Sequence, residues 1–192
     1  MSDRRTQLLD AAVEEIARTG TRGMRVDAIA KRAGVSVALI YHHFTDRAGL
    51  LDAALRRIGD RAETYTDTAA GSGRERVLAM VLGEVQDDAL IRTNSAAWGE
   101  LRDAAIFEPT LRPVLRELTE RWVQDLAAVI REGQADHSIA PAVPPEEVAV
   151  QLTAMVEGLS SRWLTGLLST TEARHHLSTS TAALLSLPEV PA

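Results

Sequence analysis

The sequence contains no cysteine, which removes disulfides, thiolate metal ligands and cysteine nucleophiles and fits work in the cytoplasm. No apolar run approaches the roughly 20 residues that a membrane-spanning helix needs. The start, Met1-Ser2-Asp3-Arg4-Arg5, leads into a mixed-charge pattern that does not resemble a secretory signal. No membrane role is expected. Nucleophile elbows, phosphate-binding glycine loops and zinc-binding histidine pairs are missing too. His175 and His176 are adjacent, so on a helix they point about 100° apart and form no metal site. The expectation is therefore a chain with no catalytic residue, no metal and no cofactor. Positive charge is also short: a net charge of −6 argues against a protein that coats nucleic acid non-specifically. The imbalance is uneven along the chain. Residues 1–47 carry 8 Arg or Lys against 6 Asp or Glu, and residues 48–192 carry 13 against 21. Only the first segment approaches phosphate at little electrostatic cost.

What is present is helical periodicity. Strand-like alternation is absent throughout, so the fold class expected is all-α. Leu8, Leu9, Ala12, Val13 and Ile16 recur at helical spacing from Arg4 to Thr19, and Gly20-Thr21-Arg22-Gly23 breaks the pattern. Val26, Ile29, Ala30 and Ala33 resume it as far as Gly34, a residue suited to a left-handed helix end. Ser36 caps a third helix of barely two turns. On it Ile40 and Phe44 share one face, while Val37, Ala38, Tyr41 and His42 lie largely off that face. A fourth helix starts near Asp46 and runs towards Gly71-Ser72-Gly73. Beyond it, helices are expected at about 74–92, 95–105, 109–132, 145–167 and 171–186, followed by a loose tail from Pro188. Pro109 and Pro144-Pro145 stand near helix starts, where a missing N–H costs nothing, and Glu146-Glu147 follow where the helix dipole favours carboxylates. Two domains are expected, residues 1–47 with three short helices and residues 48–192 as a larger helical bundle.

The stretch from Ile29 to Phe44 is a short helix, a tight glycine turn and a capped second helix, which is helix-turn-helix spacing. In that arrangement the second helix enters the major groove N-terminus first. Small residues such as Val37 and Ala38 then let the backbone approach base edges, while Tyr41, His42 and His43 reach flanking phosphates. A merely structural helical corner explains Ile29, Ile40 and Phe44, but it does not require Tyr-His-His in a row on the positive segment of an acidic chain. The pattern Ile-Ala-x-x-Ala-Gly-Val-Ser-x-x-x-Ile-Tyr-x-His-Phe, with an apolar first helix before it and a basic residue opening helix four, resembles the tetracycline-repressor (TetR-like) family from Leu8 to Leu51. The resemblance implies phosphate contacts from Tyr41, His43, Arg47 and Arg25, and base or groove contacts from Val37, Ala38, Leu39 and His42, with Ser36 opening the helix. Arg25 departs from the family pattern, which often has a Thr able to cap helix two; an arginine accepts no hydrogen bond. Leu39 stands where Thr or Ser is common, which leaves only apolar contact, such as with a thymine methyl.

In residues 52–192 the resemblance is weaker, although Val156-Glu157-Gly158-Leu159-Ser160-Ser161-Arg162-Trp163 is similar to the penultimate helix of several such regulators. In those proteins the last two helices pair with their copies as a four-helix bundle. Val148, Leu152, Gly158, Arg162, Leu177 and Leu184 are the interface residues expected here, since 145–186 holds more apolar surface than one core needs. Trp98, Leu101, Phe107, Trp122, Met155 and Leu159 are the large apolar candidates for an effector pocket between helices, although ordinary core packing explains any one of them equally well. The function expected is a dimeric repressor on a palindromic double-stranded operator, released by a small, largely apolar effector. Two alternatives stand beside it: a regulator whose effector strengthens DNA binding or that lacks one, and a helical enzyme or carrier that kept a helix-turn-helix.

Overall fold

The computed structural model describes residues 4–66 and 70–186, and the tail expected from Pro188 lies outside them. The described residues form α1 (Arg4–Gly23), α2 (Val26–Ala33), α3 (Val37–Phe44), α4 (Arg47–Thr66), α5 (Gly73–Gly83), α6 (Ala89–Phe107), a 3₁₀ turn (Pro109–Leu111), α7 (Arg112–Ala135), α8 (Pro145–Leu164) and α9 (Thr170–Leu184). Among them there is no strand. The chain divides into two compact units, one of Met1–Ala62 with Arg92–Leu118 and one of Glu63–Ile91 with Thr119–Ala192.

The first unit is built on the stripe that the sequence displays. Leu8, Ala12, Val13 and Ile16 of α1 are sealed from water with Ile29 of α2, Ile40 and Phe44 of α3, Leu51 and Leu55 of α4, and Ala97 and Leu101 of α6. Each large aliphatic side chain so buried contributes roughly 1.5–3 kcal/mol. Gly20 breaks α1 with φ 71° and ψ 168°. A Cβ there would come within 2.7 Å of the Glu100 carboxylate, which also accepts the Thr21 N–H at 3.3 Å. Both the left-handed backbone and the close carboxylate therefore call for glycine. Asp10 gathers the guanidinium groups of Arg57 and Arg61 at 2.6 and 2.9 Å, tying α1 to α4.

The second unit is centred on Val77, Val81, Leu126, Ile130, Val148, Leu152, Val156, Trp163 and Leu177. Its helices start where their caps dictate. Ser72 and Ser169 each form a capping box with the glutamate three residues on, Glu75 and Glu172. Pro145 opens α8 with Glu146 and Glu147 in its first turn, as the sequence predicts. The Trp163 indole N–H donates to Thr170 Oγ1 at 2.9 Å across the α8–α9 turn.

One stretch departs from the sequence reading. The helix expected over 74–92 stops at Gly83, and the break expected near 93–94 is absent because α6 already runs from Ala89. The causes are tertiary. A Cβ at Gly83 would lie 2.8 Å from the Tyr65 carbonyl, and the Arg174 guanidinium takes the Leu82 and Val85 carbonyls at 2.7 and 2.8 Å, which ends α5. Asp88 then accepts the Leu90 and Ile91 N–H groups and caps α6. Asn94, whose polarity suggests a loop, is buried within α6 and donates to the Ile58 carbonyl at 3.1 Å.

Candidate nucleic-acid interface

The turn between α2 and α3 is set by two residues. Gly34 ends α2 in the left-handed region, φ 65° and ψ 38°, and its N–H closes on the Ala30 and Lys31 carbonyls. Ser36 then caps α3, its hydroxyl accepting the Leu39 N–H at 3.2 Å. The orientation of α3 follows from its apolar pair: Ile40 and Phe44 are buried in the first unit's core, which turns Val37, Ala38, Tyr41, His42 and His43 to solvent and leaves Leu39 half-buried. After α3 the chain reverses sharply. Thr45 takes a positive φ of 60°, which is rare and strained for a β-branched residue, and Asp46 caps α4 by accepting the Gly49 N–H at 2.8 Å. A Cβ at Gly49 would sit 2.5 Å from the Phe44 carbonyl, so the α3–α4 corner closes only around glycine.

Arg25 stands at the N-cap position of α2 with no side-chain cap bond. Its guanidinium forks onto Asp27 through two contacts of 3.1 Å, which holds the Asp27 carboxyl below its usual range. Both side chains are exposed, and such a pair holds the arginine only weakly. Arg47 has two of its five N–H donors engaged within the unit, one bonding Glu108 Oε2 at 3.1 Å and one donating to the Thr21 carbonyl at 2.7 Å, and its side chain stays partly exposed. No local pattern signals Glu108, which lies 61 residues away. Arg5 also borders this surface without a sequence signal, its guanidinium over the Phe44 ring.

The candidate effector residues fall into two separate cores. Leu101 is fully buried in the first unit, Trp98 packs against the same cluster, and Phe107 is 74% exposed with the Arg22 guanidinium over its ring. Phe107 therefore lines no enclosed space in this structure, a correction to the sequence reading. It ends α6, beyond the stripe that faces the core. Trp122, Met155 and Leu159 are half-buried against the second unit's core. The interface candidates divide as well. Val148, Leu152 and Leu177 lie inside the protomer's own core at 1%, 0% and 0% exposure. Their surface is already covered by α5, α7 and each other's helices, so they offer none to a partner, which corrects that part of the expectation. Gly158 and Arg162 are exposed and Leu184 is half-buried.

Comparison with known proteins bears on both units. Residues 8–54 match the family model of bacterial regulatory proteins, tetR family, and residues 73–186 match that of the BetI-type transcriptional repressor, C-terminal. The chain is 32% identical over 173 residues to the HTH-type transcriptional regulator BetI of Burkholderia thailandensis, covering 86% of this chain and 83% of that protein. Among solved structures, a TetR-family transcriptional regulator from Rhodococcus sp. superposes with a TM-score of 0.91 at 44% identity, covering 97% of this chain and 100% of that one. A transcriptional regulator from Saccharomonospora viridis, solved in complex with choline, superposes with a TM-score of 0.80 at 29% identity, covering 92% and 93% of the two chains. Together with the exposed, capped α3 behind its glycine turn, these matches establish that the chain belongs to the TetR family and is a DNA-binding transcriptional regulator with a BetI-type C-terminal region.

Proposed function

We propose that the protein acts as a homodimeric repressor that leaves a two-fold DNA site when a small molecule binds its second unit. In this reading α3 enters the major groove with Ser36, Val37, Ala38, Leu39 and His42 towards base edges, while Tyr41, His43 and Arg25 hold phosphates. The observation that carries it is the division of α3. Ile40 and Phe44 are sealed in the core, yet Tyr41, His42 and His43 stand in solvent as a row of donors that packing does not require. Arg47 at the head of α4 belongs to the phosphate set as well, since its partly exposed pair with Glu108 leaves it N–H donors to spare. The reading gives the chain no catalytic step of its own.

Pairing through α8 and α9 is supported by an exposed stripe on α8, Val150, Ala154, Gly158 and Arg162, spaced four residues apart so that they share one face. Small residues on that face permit close helix approach, and two-fold pairing presents two reading helices to successive grooves. For the effector, the half-buried Trp122, Met155 and Leu159 offer an indole face and flexible apolar surface. The choline complex of the Saccharomonospora viridis relative supports a small ligand with a methyl-covered surface, and an indole face attracts such a cation. Tryptophan fluorescence titration with choline and with uncharged apolar compounds, run beside a DNA-binding assay, tests this. Trp122→Ala and Met155→Ala should weaken ligand binding about tenfold or more while ligand-free DNA affinity stays at the wild-type value. A full ligand response in both variants would move the site elsewhere.

A further inference from the structure

Arg5 lies in the first turn of α1, and its guanidinium carbon sits over the Phe44 ring, 5.4 Å from the centroid. Phe44 closes α3, and the same ring lies 5.9 Å from the His43 imidazole. The arginine is therefore fixed beside the last turn of the reading helix, next to its row of exposed donors. Four arginines of the same unit are engaged by carboxylates, Arg18 by Glu15, Arg25 by Asp27, Arg32 by Glu14 and Glu15, and Arg47 by Glu108, whereas Arg4 bonds the Gln7 amide and Arg22 lies over the Phe107 ring. Arg5 is exposed and has no carboxylate partner among the described residues. Stacking on a ring face restricts a guanidinium without using its N–H edge, which stays available to a planar or tetrahedral oxyanion. On a chain of net charge −6, an oriented guanidinium with no carboxylate partner among the described residues matches the need of a polyanion.

We propose that Arg5 is a DNA-backbone contact: it donates to a phosphate flanking the groove that α3 occupies, with Phe44 as the platform that aims it. The inference rests on α3 being the reading helix. Because phosphate contacts act on any sequence, the probe is a fluorescein-labelled duplex of random sequence, titrated with the full-length protein over a series of salt concentrations. Arg5→Ala should weaken binding several-fold near physiological salt and lower the log–log salt slope by about 0.9, the value for one phosphate neutralised on duplex DNA. Arg5→Lys should restore the slope, since the charge returns, but less of the affinity, since an ammonium lacks the stacked fork. If Arg5 only fastens α1 to α3, Arg5→Ala lowers the unfolding temperature and leaves the slope at the wild-type value, which overturns the proposal. Tyr41→Ala, measured in parallel, separates the two levels. Weaker binding for Tyr41→Ala with an unchanged Arg5→Ala slope defeats only the Arg5 contact, whereas full-strength binding by both variants defeats the placement of α3 as well.

Discussion

At the scale of single residues, the groups that matter most are those whose partners come from distant parts of the chain. Glu84 directly follows the last turn of α5, and although it keeps some surface in solvent its carboxyl lies inward. Burial there pushes it up to about 7, while a hydrogen bond from the Tyr65 hydroxyl at 3.4 Å works in the opposite direction. A carboxyl raised in this way binds its proton more tightly when the chain is folded than when it is unfolded. The contribution of Glu84 to stability is then fullest at or below pH 4.5, the ordinary value, drains as pH climbs from there to about 7, and stays at the lower level above that. Glu84→Gln should unfold at the wild-type temperature at pH 4 and at a higher one at pH 8, with a difference of order 1–3 kcal/mol by thermal melts at the two pH values. Parallel pH profiles for the two proteins would contradict the assignment. Arg47 makes the same point about distance. Its position at the head of α4 is plain in the sequence, yet Glu108 and the Thr21 carbonyl, which take two of its donors, arrive from elsewhere.

At the scale of elements, helix ends were largely legible and helix contacts were not. Ser36 and Gly34 act through bonds to residues within one turn, and Pro145 through a fixed φ and a missing N–H at a position where no donor is needed, so the pattern that marks them also fixes the geometry. The α5–α7 crossing has no such signature. A Cβ at Gly73 would lie 2.3 Å from the Gly133 backbone, so the two helices meet glycine to glycine, and the Gly73 N–H donates to Asp136 Oδ2 at 2.7 Å. Gly73→Ala should cost about 1–3 kcal/mol in urea unfolding, because the obstruction is backbone and the helices must separate. Gly99→Ala, within α6 where nothing lies within 4 Å of the new Cβ, should instead be neutral or gain about 0.5–1 kcal/mol through reduced chain entropy. Equal effects at the two sites would show that the crossing is looser than its geometry indicates.

At the scale of the whole molecule, the question is which surface meets a second copy. A Cβ added at Gly158 would meet nothing within 4 Å in the protomer, so Gly158→Arg fits the single chain and even removes a helix glycine worth about 1 kcal/mol. Only a partner helix would reject it. Light scattering at micromolar concentration should find a wild-type dimer and a folded Gly158→Arg monomer, with Val150→Arg behaving alike because Val150 is 54% exposed on the same face. Leu152→Glu, by contrast, should unfold the second unit, since it would bury a charge with no partner in the core. A Gly158→Arg protein that remains dimeric would exclude this face as the interface.

The helical class, the helix-turn-helix with its glycine turn and serine cap, and the split between a positive head and an acidic remainder are all legible in the order of residues alone. These are carried by periods of three to four residues, by caps that act within one turn, and by simple charge counts. The rest came from packing in three dimensions. It buried Val148, Leu152 and Leu177 inside the chain, set Phe107 in solvent, broke the helix at Gly83, closed Glu108 on Arg47 and laid Arg5 over Phe44. An apolar residue at helical spacing faces some core, but which core and how completely depends on helices brought together from tens of residues away, and no local pattern encodes that pairing.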